Sequence, residues 1–200
     1  ERDSVISYQI DIDEYLLKIF QNYSDKKNKS INILDFGGSL GSLYFKYKDK
    51  IKNKFNWSII EQKNFVIEGK KNFQNNELNF FNNIEEYKNI FLPNIIIASS
   101  SLQYLERYQE LLKDMLNLKP DYIVVLKTPF SEKMFDEIYI QKPGKKIYKS
   151  TYPIWIFSYK SFLNILNENY TLEEKKITKP EIFQLKYLDL YFKRKKNNYE

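Results

Sequence analysis

The 200-residue sequence contains no cysteine and no histidine. Without cysteine there are no disulfides, no thiolate catalysis and no cysteine metal sites, and a reducing cytoplasm is the expected location. Without histidine the most frequent general base and transition-metal ligand is missing. Any chemistry therefore depends on carboxylates, Tyr, Lys, Arg, hydroxyls, amides or a bound cofactor, and we predict no metal site.

Long apolar runs are also missing, since the longest, such as Ile95-Ile96-Ile97-Ala98, are strand-sized and too short to span a bilayer. Hydrophobic residues at 42% and aromatics at 17% argue against disorder. The length suits one compact domain, predicted over residues 1–200. The chain opens at Glu1 without Met or a signal-like stretch, so we expect that a few N-terminal residues have been trimmed.

Arginine is scarce, because only three of the 32 basic residues are Arg, while the net charge is +6. A surplus of solvated lysines is one interpretation of this charge, and an anionic partner is the other. Proteins that read nucleic acids rely on Arg for bidentate contacts. We therefore expect no nucleic-acid partner, while a small anionic substrate stays open.

Strand and helix patterns alternate over the first two thirds of the chain. Apolar spacing predicts helices over residues 8–23, 39–52, 62–75 and 102–116, and strands over 31–36, 56–61, 77–81, 94–99 and 122–127. This alternation predicts a Rossmann-like, doubly wound α/β sheet.

The pattern changes after Pro129. A hairpin is predicted with arms at 137–141 and 146–149 around a turn at 142–145. An aromatic cluster, a helix near 159–167 and strands near 171–177 and 185–193 follow. We expect an N-terminal helical segment at 1–30, an insertion at 131–160 and a frayed tail.

Three of the five glycines fall in the loop Asp35-Phe36-Gly37-Gly38-Ser39-Leu40-Gly41, which follows the first predicted strand. A P-loop would need Lys after the last glycine, and here Ser42 follows Gly41. A dinucleotide motif needs further glycines at positions that hold Ser or Leu. The leading acid instead resembles the first motif of class I methyltransferases, whose cofactor has no pyrophosphate.

Glu61 ends the second predicted strand, 26 positions after Asp35. A carboxylate about 20 residues after a glycine loop is placed to accept hydrogen bonds from ribose hydroxyls. The alternative is a doubly wound domain with a simple glycine turn and an unrelated surface Glu.

The chain resembles, over nearly its whole length, a family of class I S-adenosylmethionine (SAM)-dependent methyltransferases encoded among bacterial surface-polysaccharide genes. The resemblance is carried by LDFGGSLGSLY (34–44), WSIIEQ (57–62), SSSLQYLE (99–106), LKTPF (126–130) and STYPIWIFS (150–158). It implies a seven-stranded sheet, mostly parallel with the last strand antiparallel, and a small hairpin or aromatic insertion after the fifth strand. One departure is Lys127, where the family pattern has Arg.

The resemblance also implies roles for individual residues. Asp35, Gly37, Gly38 and Gly41 would line the methionine end of SAM, Glu61 would hold the ribose and Gln62 would lie beside the adenine. Asn82 and Asn83 would bind the adenine amine, or else form a simple turn. Ser99, Ser100 and Ser101 would face the reacting methyl group, with a helix N-cap as an alternative or additional role.

Acceptor residues are expected in the elements after the fourth and fifth strands. Lys127 and Tyr104 are the candidate catalytic residues, and Gln103, Gln141, Tyr152 and Trp155 are the candidate substrate-binding residues. The alternative is that these aromatics only pack the last helix against the sheet.

The predicted reaction is O-methylation of a surface-polysaccharide component, with S-adenosylhomocysteine (SAH) as product. A neutral hydroxyl acceptor needs a base, whereas a phosphate or phosphoramidate oxyanion needs none and would be anchored by Lys127 or Lys142. A nucleic-acid methyltransferase is a rival, although its Asn/Asp-Pro-Pro-aromatic loop is replaced here by Ser99-Ser100-Ser101-Leu102. A nicotinamide-dependent oxidoreductase fails the glycine spacing, and a non-catalytic binding partner stays open.

Overall fold

The computed structural model describes residues 12–23, 30–142, 150–182 and 185–196. The chain forms two compact units, residues 1–97 and 98–200. Residues 8–11, most of the turn at 142–145, the predicted strand at 146–149 and the last residues of the tail lie outside the described residues. Whether the chain acts as one domain stays a prediction. In the described part of the chain, no helix is long and apolar enough to cross a membrane.

The first unit is a parallel α/β layer. Its elements are α1 (Glu14–Asn22), β1 (Ile31–Phe36), α2 (Ser42–Tyr47), β2 (Phe55–Ile60), α3 (Lys63–Asn72), β3 (Leu78–Phe81) and α4 (Ile84–Lys88), and β4 (Ile95–Ser99) begins in it. The strands pair in parallel in the order β3-β2-β1. Because Phe36, Ile60 and Phe81 are register partners, all three strands end at one edge. The residues that follow them therefore lie along that edge.

Two helices of the first unit differ from their predicted bounds. The helix predicted from residue 39 begins at Ser42, because residues 37–41 form a loop with left-handed backbone at Gly37, Ser39 and Gly41. It ends at Tyr47 and continues as the 3₁₀ turn Lys48–Lys50. The first helix begins after Asp13, whose side chain accepts a hydrogen bond from the Leu16 N–H at 2.8 Å and so caps the helix.

The second unit is a mixed sheet flanked by two helices. Its elements are α5 (Tyr108–Asn117), β5 (Tyr122–Ser131), β6 (Glu137–Gln141), β7 (Tyr152–Ser158), α6 (Tyr159–Leu166), β8 (Tyr170–Ile182) and β9 (Leu185–Arg194). Strand β5 pairs in parallel with β7 and antiparallel with β9. Strands β6 and β8 extend the two sides by antiparallel pairing with β7 and β9 respectively. The last strand is antiparallel to its neighbours, as predicted.

The described residues form nine strands, so the prediction of seven is wrong. The additional strands are β6 and β7, which lie in the region predicted as an insertion. The partner of β6 is β7, with Gln141 opposite Tyr152, and the arm predicted at 146–149 lies outside the described residues. Strand β7 also pairs with β5 through Phe130 and Phe157. Hydrogen-bonding partners on both sides make the aromatic segment a strand of the sheet.

The helix predicted over 102–116 is interrupted. A 3₁₀ turn covers Leu102–Tyr104, and α5 starts only at Tyr108. Between them Leu105 is extended, with φ −97° and ψ 127°. Its carbonyl accepts a hydrogen bond from the Trp155 indole N–H at 2.8 Å. This bond with a residue 50 positions away replaces the helical bond that the local pattern predicted.

Candidate functional site

The glycine loop of the first unit turns sharply at three alternate residues. The φ angles of Gly37, Ser39 and Gly41 are 72°, 52° and 99°. The Gly37 N–H donates to the Ile60 carbonyl at 2.9 Å, which ties the loop to the end of β2. Ser39 thus adopts the left-handed backbone that glycine favours, at a cost of about 1 to 2 kcal/mol for a residue with a Cβ. The missing glycine at this position therefore did not prevent the turn.

Gly38 allows the loop to lie directly on a carboxyl group. A Cβ added at Gly38 would lie 2.6 Å from both Cγ and Oδ2 of Asp35. Such a distance is too short for carbon, so Gly38 is needed for close approach rather than for its backbone angles. The Asp35 side chain lies beneath the loop as a result.

The Asp35 carboxyl is fully buried, with 0% of the residue exposed. Its Oδ2 accepts a hydrogen bond from the Trp57 indole N–H at 3.2 Å, and its Oδ1 has no hydrogen-bond partner among the described residues. Burial raises the pKa of Asp35 to about 7; the Trp57 hydrogen bond opposes this rise, and the charge of Glu61 adds to it. The site therefore contains a buried acid that ionises near neutral pH.

Glu61 connects the end of β2 to the glycine loop. Its Oε1 accepts from the Ser39 N–H at 3.2 Å and its Oε2 accepts from the Gln62 N–H at 2.7 Å. Gln62 is the residue that precedes α3. The structure therefore brings together the loop, Asp35 and Glu61, as the motif spacing predicted. Glu61 is half-buried.

Asn82 and Asn83 form the start of α4. Asn83 Oδ1 accepts from the Glu86 N–H at 2.8 Å, and the Glu86 carboxylate accepts from the Asn82 N–H at 2.9 Å. The Asn82 side-chain amide also donates to this carboxylate at 3.0 Å. The two hydrogen bonds from Asn82, the backbone bond most of all, lower the pKa of Glu86. This reciprocal arrangement is a helix cap rather than the simple turn considered from the sequence. A role in binding adenine stays a prediction.

The serines after β4 belong to the second unit. The Ser100 N–H donates to the Leu126 carbonyl at 2.9 Å, and Ser100 Oγ accepts from Gln103 Nε2 at 3.0 Å. Ser101 precedes the 3₁₀ turn but makes no side-chain capping hydrogen bond. The helix N-cap predicted for these serines is therefore absent, and Ser100 instead orients the Gln103 amide.

Lys127 lies in a bulge of β5, between the paired residues Val125 and Thr128. Its backbone is left-handed, with φ 50°, and its N–H donates to Asp189 Oδ1 at 2.6 Å. The Lys127 side chain is exposed. The sequence analysis did not predict a role for Asp189, although an acidic residue within the apolar run of β9 was a usable signal.

The predicted acceptor residues surround a cleft of about 260 Å³ within the second unit. We call it the β7 cleft; its lining residues are Gln103, Tyr104, Leu105, Glu106, Ile138, Pro153, Ile154 and Trp155. Gln141 and Tyr152 lie beside it, because the Tyr104 hydroxyl bonds Gln141 Oε1 at 3.3 Å and the Tyr104 and Tyr152 rings are 5.6 Å apart. The structure thus groups five of the six predicted acceptor residues around one cleft.

The aromatic cluster serves two purposes. Phe157 is fully buried and packs on Phe162 of α6 at 5.6 Å between ring centroids, which is the packing role considered from sequence. Trp155, two residues earlier on β7, lines the β7 cleft. Residues two positions apart on a strand lie on the same face, so the two roles are separated along β7 rather than across it, and each interpretation applies to its own residue.

Asp136 holds the end of β7 in place by two hydrogen bonds, and the sequence analysis did not predict this role. Its Oδ2 accepts a short hydrogen bond from the Tyr108 hydroxyl, and its Oδ1 accepts from the Ser158 N–H at 2.7 Å. Burial raises the pKa of Tyr108, and the bond with Asp136 adds to the rise. Nothing in the local sequence marks Asp136, because both of its partners are more than 20 residues away.

A second cleft of the second unit, of about 280 Å³, includes Lys119, Tyr170 and Arg194 in its lining. Lys119 precedes β5, so this cleft lies at the amino end of that strand, whereas Ser100 contacts Leu126 toward the other end. Ligands of open α/β sheets bind at the carboxyl ends of strands.

Among the described residues, no group of three Asp or Glu side chains is close enough to hold a metal ion.

No protein-family model and no curated protein sequence matches the chain. Solved structures do share its fold. A SAM-dependent methyltransferase from Clostridium acetobutylicum ATCC 824 is 13% identical with a TM-score of 0.58, over 96% of this chain and 95% of that one. The N-terminal domain of EvdMO1, solved in the presence of SAH and D-fucose, is 11% identical with a TM-score of 0.59, over 90% and 82%.

The glycopeptide N-methyltransferase MtfA, complexed with SAM, is 7% identical with a TM-score of 0.53, over 87% of this chain and 92% of that one. At such identities the likeness concerns the fold. The chain therefore has a methyltransferase-like α/β fold, with parallel strands and antiparallel C-terminal strands.

Proposed function

We propose that the chain is a SAM-dependent methyltransferase that releases SAH. The observation that carries this proposal is the edge of the first unit where the glycine loop lies on Asp35 and is joined to Glu61. Three left-handed residues turn the loop, and its three glycines carry no side chain, so a ligand can approach the backbone there. The solved structures of the same fold with SAM or SAH support the choice of cofactor.

The residues present fit this cofactor. Asp35 Oδ1 is a buried acceptor without a partner among the described residues, next to the loop that would take the methionine end. Glu61 offers carboxylate oxygens for ribose hydroxyls. We assign Gly37, Gly38 and Gly41 to the methionine end. The remaining assignments are Gln62 with Asn82 and Asn83 for the adenine, and Ser99 and Ser100 for the side of the reacting methyl group.

SAM would supply, when bound, a sulfonium methyl group whose carbon an acceptor oxygen can attack in line, with SAH leaving as the neutral thioether. The chain contributes by holding the acceptor close and aligned. We propose that Tyr104 and Lys127 act on the acceptor, and that Gln103, Gln141, Tyr152 and Trp155 bind it. Lys127 brings a positive charge on an exposed side chain, and Tyr104 brings a hydroxyl next to Gln141.

We further propose that the acceptor is a surface-polysaccharide component that is methylated on oxygen. The resemblance of the sequence blocks to methyltransferases of surface-polysaccharide gene clusters supports this. The D-fucose present with EvdMO1 and the glycopeptide substrate class of MtfA are consistent with a sugar-linked acceptor. A cytoplasmic location, expected from the sequence, stays a prediction.

Titration calorimetry with SAM, SAH and NAD tests the cofactor. We expect SAM and SAH to bind and NAD not to bind. Glu61→Gln should weaken SAH binding about tenfold to a hundredfold, because a hydrogen bond to a charged group contributes about 1.5 to 3 kcal/mol. Glu68→Gln is the matched control, since Glu68 lies on the exposed side of α3. Failure of both adenosyl ligands to bind would contradict the proposal, and binding of NAD would favour an oxidoreductase.

A further inference from the structure

One lining residue of the β7 cleft, Gln103, carries a buried hydrogen-bond acceptor that lacks a donor. Gln103 is only 2% exposed, and its Nε2 donates to Ser100 Oγ at 3.0 Å. Its Oε1 has no partner among the residues that the structure describes. A buried polar atom without a partner costs about 1 to 3 kcal/mol. A ligand that brings an O–H or N–H to this oxygen would remove that cost.

The charge of the cleft points in the same direction. Glu106 lines it and carries a carboxylate, and among the described lining residues there is no Lys or Arg. The exposed Lys127 and Lys142, the anchors considered for a phosphoryl acceptor, are not part of this lining. A phosphoryl group has only acceptor oxygens and a negative charge, so it would meet an acceptor at Gln103 and a like charge at Glu106. A hydroxyl-bearing, uncharged ligand meets neither obstacle.

The size and walls of the cleft limit the ligand further. Its volume of about 260 Å³ lies below the range of about 300 to 1,000 Å³ that is typical of drug-sized ligands. Ile138, Pro153 and Ile154 form apolar walls. The Trp155 N–H is already bonded to Leu105, which fixes the indole. The ring makes an edge contact with Tyr108 at 5.8 Å between centroids, and its half-buried side chain keeps some exposed ring surface for stacking. One small ring with an apolar face and hydroxyl donors matches these properties.

We propose that the β7 cleft binds an uncharged sugar ring, with a ring hydroxyl donating to Gln103 Oε1 and the apolar face of the sugar on Trp155. The substrate bound there then presents neutral hydroxyls rather than a phosphoryl oxyanion. This inference rests on the proposed methyltransferase function, and it names the substrate class of the same site.

The test uses the whole chain labelled with 5-fluorotryptophan. The two tryptophans, Trp57 and Trp155, give two ¹⁹F resonances, which Trp155→Phe assigns. The probes are methyl glycosides of glucose, galactose and mannose, and the 6-phosphates of the same sugars at equal concentration. We expect at least one glycoside to shift the Trp155 resonance and to leave that of Trp57 in place. The matching 6-phosphate should bind at least tenfold more weakly.

Two variants sharpen the test. Gln103→Leu should weaken glycoside binding at least tenfold, whereas Gln74→Leu, which changes an exposed amide outside the cleft, should not. Glu106→Gln lies at an exposed position that does not threaten folding. It should improve binding of the 6-phosphates severalfold and leave glycoside binding nearly unchanged.

The outcomes separate this inference from the function on which it rests. Equal or tighter binding of the 6-phosphates would overturn the inference, and so would the absence of any Trp155 shift in a chain that binds SAH. Glycoside binding in a chain that binds neither SAM nor SAH would instead overturn the methyltransferase function.

Discussion

Replacing Asp35 with Asn isolates the free energy of ionising a fully buried carboxyl. The change keeps the shape of the side chain and an oxygen that can accept from the Trp57 indole, but it removes the titrating proton. Burial raises the pKa of Asp35 from the ordinary 3.8 to about 7 in the folded chain. The free energy of unfolding of the wild type should therefore decrease relative to that of the variant as pH increases.

The direction follows from proton binding. Between about pH 4 and pH 7 the folded chain keeps the Asp35 proton while the unfolded chain releases it, so unfolding becomes easier as pH rises. The stabilisation is fully present below the unfolded pKa and is lost as pH rises through the folded pKa. At about 1.36 kcal/mol per pH unit, the loss amounts to about 4 kcal/mol above pH 7.

Urea unfolding at pH 4, 5, 6, 7 and 8 measures this difference, with the ¹⁹F resonance of 5-fluoro-Trp57 as a reporter in the same unit. The stability of Asp35→Asn relative to wild type should grow between pH 4 and 7 and then level off. Asp49→Asn makes the same chemical change at an exposed position and should follow the wild type. A stability difference that is constant with pH, or that shrinks as pH rises, would refute the buried-acid argument.

Two further substitutions test the packing of each unit. Gly38→Ala should destabilise the chain by about 1 to 3 kcal/mol or more, because its Cβ would overlap the Asp35 carboxyl; urea unfolding measures the loss. Asp136→Asn should cost about 1 to 3 kcal/mol, because one of its two donors, the Tyr108 hydroxyl or the Ser158 N–H, loses its acceptor; the ¹⁹F resonance of Trp155 should broaden or shift.

Controls for these substitutions use the same contacts. In an Asp35→Ala background, Gly38→Ala should cost much less, since the carboxyl that it overlaps is gone. An unchanged cost there would mean that the loop conformation, and not the carboxyl, requires glycine. For Asp136, the change Tyr108→Phe removes the hydroxyl donor, so Asp136→Asn should cost less in that background. Full additivity of the two changes would contradict the hydrogen bond.

Local patterns predicted the first unit well. The apolar run before Glu61 predicted a strand, and the structure confirms β2 at Phe55–Ile60. The run before Asp35 likewise predicted β1. Buried parallel strands are nearly continuous apolar segments, so a short window of sequence contains the information that defines them. The edge that carries the loop and Glu61 then follows from parallel pairing alone.

The second unit was predicted less well, because its structure depends on distant partners. The helix predicted from the apolar stripe that starts at Leu102 is interrupted at Leu105, whose carbonyl accepts a hydrogen bond from the Trp155 indole N–H. The strand β7 was not predicted, although the same residues were recognised as an aromatic cluster. Its pairing with β6 and β5 joins segments that a local window cannot compare.

The sequence by itself determined the alternation of strands and helices, the glycine loop and the position of Glu61, because these depend on neighbouring residues and on their periodicity. Only the tertiary structure decided that the Asp35 carboxyl is buried beneath Gly38 and that Gln103 has an oxygen without a donor in the β7 cleft. Burial and hydrogen-bond satisfaction are properties of residues that are far apart in the chain and meet only on folding. For the same reason, the loop was predictable, whereas the protonation of the acid beneath it was not.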